Sequence, residues 1–268
     1  MSSNNHEIRP ERGTVRVLLS PVPAAIAAPT LRHCLGLLSP EERARLRRLP
    51  ARRRTAFLVA HVLLRHSLAR ACGMPARAVP LKRGPHGKPF LEGAGPAFSL
   101  SRAERWVALA LADTGTRVGG DVEETSRLRL DPLRLARRCF HGTEHDWLAS
   151  LPAAVRPRAF VDLWARKEAF CKAHGAALGE TLPGPRFLAT ARGLEPVCAG
   201  ASYGCRRPAP GVAVITCVLG ESGHPQWAVC RDLPTLLQGG TAAGNPAQGD
   251  PFPGGSGLRE ITRAWEAG

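Results

Sequence analysis

The sequence predicts an α+β protein of two pseudo-symmetric lobes, each an antiparallel sheet with packed helices. Three observations lead there. Each half of the chain, 1–115 and then 116–235, reads as a strand, then helices, then strands. Hydrophobic residues make up 44% of the chain, enough for a real core. A length of 268 residues accommodates one large domain or two of roughly 120 residues.

The elements follow in order. Residues 14–19 (Thr-Val-Arg-Val-Leu-Leu) alternate and then run apolar, as an opening strand does. Ser39-Pro40-Glu41-Glu42 is a helix start, with a capping Ser, Pro at the first helical position and acids in the first turn. That helix carries Arg43, Arg45, Arg47 and Arg48. Arg52, Arg53 and Arg54 then precede a long helix whose apolar face is Phe57, Leu58, Val62, Leu63, Leu64 and Leu68. Pro85-His86-Gly87-Lys88-Pro89 is a turn. Ala97–Ser101 and Trp106–Ala110 are strands around a short loop.

The second half opens with a strand over 116–124, and Asp131-Pro132 begins a helix. Helices are expected over 143–150 and 155–175. Residues 211–218 and 226–230 read as a late antiparallel pair. Residues 236–268 are Gly-, Ala- and Pro-rich and expected to be a disordered tail, with at most a weak helix over 257–266.

The formal charge is +15, from 37 Lys+Arg against 22 Asp+Glu. Such a balance implies an anionic partner: nucleic acid, a membrane surface, a phosphorylated cofactor or an acidic protein. The Arg43–Arg54 cluster speaks for nucleic acid. Against it, aromatic residues are only 5% and no recognised binding motif is present. The eight cysteines are scattered without a C-x-x-C pair, which argues against a zinc site and for free thiols in a reducing cytoplasm. Met1–Arg12 is polar and charged, unlike a signal peptide, and no apolar run is long enough to span a bilayer.

The sharpest local feature is Gly119-Gly120-Asp121-Val122-Glu123-Glu124 at a strand end. Side chains alternate across a strand, so Asp121 and Glu123 point one way and Val122 and Glu124 the other. Two like charges side by side repel by several tenths of a kcal/mol, a cost that a bound cation removes. Magnesium favours one or two carboxylates together with substrate phosphates. The second feature is the helix segment Trp164–Lys172, in which Trp164, Glu168 and Lys172 share one face. Taken singly, each feature also reads as something ordinary, a solvated strand edge and a surface helix pair of about 0.3–0.5 kcal/mol. Trp106 and Trp147 read as core or lobe-interface residues, Cys171 as a buried small hydrophobe, and His61 and His66 as packing or surface residues.

Together they resemble a known signature. Gly-x-Asp-x-Glu, followed about forty residues later by Trp-x-x-Lys-Glu-x-x-x-Lys, is similar to the 4′-phosphopantetheinyl transferase family, closest to its monomeric, two-lobed, surfactin-synthetase-activating type. Phe140 to Glu144, Gly87-Lys88-Pro89, Phe98 to Ser101 with Trp106-Val107, and Ser39-Pro40-Glu41 match further family motifs, so the resemblance covers about residues 14–230.

The resemblance implies a transferase that moves the phosphopantetheine arm of coenzyme A to a serine of an acidic apo carrier protein, with no nucleic acid or membrane as partner. It implies that Asp121, Glu123 and Glu168 bind Mg²⁺ and that Lys172 contacts the pyrophosphate. Lys88 and Ser101 would contact the 3′-phosphate of coenzyme A, with Arg45 near the phosphates. Glu168 or Glu144 would take the serine proton, and the carrier would dock beside 173–200. Two positions depart from the family pattern. Arg102 stands where the family has His, and can still bind phosphate. Glu42 stands where it has a phosphate-binding Lys, and is expected to repel phosphate. Both departures leave open a degenerate member that binds coenzyme A or carrier with little transfer.

Overall fold

A computed structural model describes residues 14–84, 87–176, 184–190, 193–197, 200–220 and 224–229. The expectations for Met1–Arg12, for Pro85-His86, for the tail over 236–268 with its helix over 257–266, and for parts of the 173–200 segment lie outside the described residues.

The first half runs β1 (Thr14–Pro21), α1 (Ala28–Leu37), α2 (Pro40–Arg48), α3 (Ala51–Cys72), β2 (Leu81–Arg83), β3 (Pro89–Leu91), β4 (Ala97–Arg102) and β5 (Trp106–Ala112). The expected start of α2 forms as a capping box. Ser39 Oγ accepts the Glu42 N–H at 3.2 Å, and the Glu42 carboxylate accepts the Ser39 N–H at 2.9 Å. α1 was not foreseen, because no side chain caps it and no acid occupies its first turn.

The second half runs β6 (Arg117–Glu124), α4 (Pro132–Cys139), α5 (Gly142–Ser150), α6 (Arg156–His174), β7 (Phe187–Thr190), β8 (Gly193–Pro196), β9 (Ala201–Arg206), β10 (Val212–Leu219) and β11 (His224–Val229). Asp131 caps α4 by accepting the Arg134 N–H at 2.9 Å. α6 ends at Gly175, whose φ of 77° is the left-handed stop that glycine adopts freely.

The expected pairing of the last two strands is corrected. β10 pairs antiparallel with β6 on one edge and β9 on the other, so it has no free edge left. β11 instead crosses to the first sheet and runs parallel to β1. That sheet has the order β11-β1-β5-β4, and the second has the order β6-β10-β9.

The two sheets pack face to face between helices. Along β5, Val107, Leu109 and Leu111 join the cluster around α3, while Ala108, Ala110 and Ala112 meet the second sheet. On the far side, Ile215 and Cys217 of β10 pack under Ala165, Ala169 and Ala173 of α6. The small residues let α6 sit close. A Cβ on Gly119 would lie 1.8 Å from the Ala169 carbonyl oxygen, so β6 accepts only glycine there. This close approach brings the Glu168–Lys172 turn onto the strand end that carries Asp121.

Candidate active site

The site lies where β4, β6 and α6 meet. A cleft of about 680 Å³ is lined by Arg52, Arg53 and Ala56 of α3, by Leu100 to Glu104, by Arg127 and Arg129 after β6, and by Lys172.

At its acidic end, alternation along β6 works as expected. Val122 and Glu124 face the first sheet, where Glu124 accepts the Arg105 N–H at 2.7 Å and Arg105 Nε at 2.9 Å. Asp121 and Glu123 face the other way. Asp121 is buried, and its Oδ1 accepts the Ser101 hydroxyl at 2.8 Å and the Lys172 ammonium at 2.6 Å. Its Oδ2 is buried with no hydrogen-bond partner. Glu168 lies 3.9 Å from Lys172, one turn away on α6. Burial and the neighbouring Asp121 push the Glu123 carboxyl up to about 7, with Glu168 adding to the effect and Arg127 and Lys172 opposing it. Burial also raises Glu168, Asp121 adds to it, and Lys172 opposes it. Burial alone lowers the Lys172 ammonium, but Asp121 and Glu168 outweigh it and hold the group charged.

Three acids thus gather around one lysine. Among the described residues no three His, Cys, Asp or Glu side chains stand as a formed metal site, and Lys172 holds one oxygen of Asp121. The donor chemistry nevertheless fits a hard divalent cation. The oxygens are carboxylate, one buried oxygen lacks a partner, and two carboxyls are raised by burial, with the neighbouring Asp121 adding to it.

At the basic end, the guanidinium groups of Arg45 and Arg102 lie over the Phe57 ring, 5.7 and 5.5 Å from its centroid. Burial depresses Arg102, and the like charges of Arg45, Arg83 and Arg53 depress it further, so four arginines share this corner. Arg53 is visible in the sequence only as part of the Arg52–Arg54 run, and Arg83, in the short strand β2, carries no sequence signal of a site.

Several expectations change here. Glu42 does not confront a phosphate. Its side chain is 10% exposed and bonds Arg65 at 2.6 Å and His61 at 2.9 Å. Burial would raise this carboxyl, but His61 and Arg65 outweigh burial and hold it down at about 2. Glu144 is removed from the candidates for the base. Its side chain is 1% exposed, bonds Lys167 at 2.9 Å and accepts the backbone N–H groups of His141 and Phe187 at 2.9 and 2.8 Å. Ser101 and Lys88 attend the acidic end. The Ser101 hydroxyl donates to Asp121, and the Lys88 ammonium donates to the carbonyls of Val118 and Lys172. Alternation explains Ser101, since it and Arg102 leave β4 on opposite faces.

Comparison with known proteins bears on both ends of the cleft. A model described as the N-terminal part of 4′-phosphopantetheinyl transferase matches residues 27–114. A model of the 4′-phosphopantetheinyl transferase superfamily matches residues 117–195. The chain is 28% identical over 121 residues, 45% of its length, to 4′-phosphopantetheinyl transferase gsp of Aneurinibacillus migulanus, covering 48% of that protein. It is 33% identical over 147 residues, 53% of its length, to a putative 4′-phosphopantetheinyl transferase of Synechocystis, covering 59% of it. It is 29% identical over 146 residues, 54% of its length, to 4′-phosphopantetheinyl transferase Sfp of Bacillus subtilis, covering 63% of it. The match therefore spans less than two thirds of each of these relatives. The two models meet at the junction between β5 and β6, cover the guanidinium corner and the acidic strand and helix in turn, and both name 4′-phosphopantetheinyl transferase: the chain belongs to the 4′-phosphopantetheinyl transferase superfamily.

Proposed function

We propose that the protein transfers the 4′-phosphopantetheine group of coenzyme A to a serine of an apo carrier protein in a Mg²⁺-dependent reaction. The observation that carries this reading is the convergence of Asp121, Glu123 and Glu168 on Lys172, opposite a corner of arginines in one cleft.

In this reading Arg45, Arg53, Arg83 and Arg102 receive the 3′-phosphate. The diphosphate lies toward Lys172 and Ser101. Asp121, Glu123 and Glu168 would hold Mg²⁺, which supplies charge neutralisation to the diphosphate oxygens. Lys172 donates to the same oxygens as charge develops on them. Glu168, through a carboxylate oxygen not engaged by the cation, takes the proton from the serine hydroxyl. The serine oxygen bonds to the phosphorus nearer the pantetheine. The bond from that phosphorus to the bridging oxygen breaks, and adenosine 3′,5′-bisphosphate leaves with the electron pair. The net charge of +15 suits an acidic carrier, mainly by speeding encounter.

The test combines protein, coenzyme A, Mg²⁺ and a panel of apo carriers, with carrier mass read by mass spectrometry. A mass gain equal to one phosphopantetheine group is expected, and none when a chelator is present before coenzyme A is added. No gain on any carrier, while a known transferase works in parallel, sinks the reading.

A further inference from the structure

The arginine corner stands on a buried scaffold that the proposed chemistry does not use. Glu42, in the first turn of α2, sends one carboxylate oxygen to within 2.9 Å of His61 Nδ1 on α3. Its other oxygen accepts Arg65 Nε at 2.6 Å and the Ser39 N–H at 2.9 Å. Arg65 is 2% exposed, and it donates a further N–H to the carbonyls of Ala76 and Val79 at 2.8 and 3.2 Å, in the segment that leads into β2. This pair therefore joins three elements, each carrying an arginine of the corner: Arg45 on α2, Arg53 on α3 and Arg83 on β2. His61 stacks on Phe57 with ring centroids 4.0 Å apart, and Phe57 is the ring over which Arg45 and Arg102 lie.

We infer that Glu42 and Arg65 are a positioning pair that holds Arg45, Arg53 and Arg83, beside Arg102 on the Phe57 ring, as a preformed receptor for a phosphomonoester, and so selects a 3′-phosphorylated nucleotide. The inference rests on the coenzyme A reading of the cleft. Four guanidinium groups repel one another, so their arrangement needs an external brace. Two effects compete if Glu42 alone is lost. Removing a carboxylate strengthens the pull on an anion, while losing the clamp lets the arginines separate. Geometry dominates, because Arg65 already opposes the Glu42 charge at contact distance, whereas forked recognition of phosphate depends on placement.

The charge-neutral double variant Glu42→Gln/Arg65→Gln isolates the placement effect and leaves no buried charge unpaired. Calorimetry on the full chain uses adenosine 3′,5′-bisphosphate and 5′-AMP as probes. The wild type should prefer the bisphosphate. The double variant should bind it about tenfold more weakly and bind 5′-AMP unchanged. Glu42→Asp keeps the charge, withdraws the carboxylate by one methylene, and should show a smaller loss of the same selective kind. It serves as the test if the double variant does not fold. Equal losses for both probes, or an unchanged preference, overturn the inference. A wild type that binds both probes alike removes the coenzyme A reading as well, and so tells the two failures apart.

Discussion

Helix α6 carries two lysines that each meet a carboxylate, and the two pairs are built differently. Lys167 and Glu144 are 0% and 1% exposed, 2.9 Å apart, and fully provided with partners. Lys167 also donates to the Pro185 carbonyl at 2.7 Å and lies over the Phe140 ring, and both Glu144 oxygens accept backbone N–H groups. Lys172 and Asp121 are 26% and 4% exposed, 2.6 Å apart, at the cleft. There one Asp121 oxygen is left without a partner, and two further carboxyls are pushed up by burial and by the neighbouring Asp121. A satisfied buried pair organises a core, while an acid cluster that its own lysine cannot fully neutralise is poised for something from outside.

The largest effect expected from this contrast is in Asp121→Ala. Carrier loading should fall by about 10³-fold, with the melting curve little changed, read by mass spectrometry and circular dichroism. Normal loading by this variant would erase the distinction between the pairs. Glu144→Gln should do the reverse. It leaves Lys167 charged and buried, so urea unfolding should show a loss of about 3–5 kcal/mol, while the folded fraction keeps its turnover. A stable but inactive Glu144→Gln protein would reinstate Glu144 as a base.

The Glu42–Arg65–His61 cluster extends the comparison to the first lobe, as another satisfied group. Its folded carboxyl, at about 2, is more acidic than the ordinary value of 4.5. The stability it contributes, on the order of 3 kcal/mol, is therefore present above about pH 4.5 and lost as pH falls toward 2. Acid denaturation of wild type against Glu42→Gln should show this acid-sensitive stability vanish in the variant. The smallest effect belongs to Arg127, 44% exposed and 3.4 Å from Glu123. Arg127→Gln should shift unfolding free energy by no more than about 0.5 kcal/mol, since a solvated pair contributes little. A larger shift would mean that the acidic end is braced from the rim as well.

Local chemistry made much of the fold and site legible. Capping at Ser39 and Asp131 located two helix starts within a residue. Alternation on β6 separated Asp121 and Glu123 from Glu124, and helical spacing put Glu168 beside Lys172. Glu144 misled, because its motif position says nothing of the Lys167 and Phe187 groups that enclose it. β11 misled for the same kind of reason, since strand propensity does not name a partner, and β10 had already used both of its edges.

The sequence by itself determined the α+β class, the placement of the long helices, the side on which each acid leaves its strand or helix, and the motif order of the family. These depend on interactions within three or four residues, where backbone geometry leaves few choices. Only the tertiary structure decided which carboxylates are spent and which remain available. Asp121 meets Lys172 across 51 residues, Glu144 meets Phe187 across 43, and Lys88 reaches the carbonyl of Lys172 across 84. Contacts of that range exist only once the two sheets have packed and Gly119 has let α6 approach, because burial and partners are properties of the assembled layers rather than of any local segment.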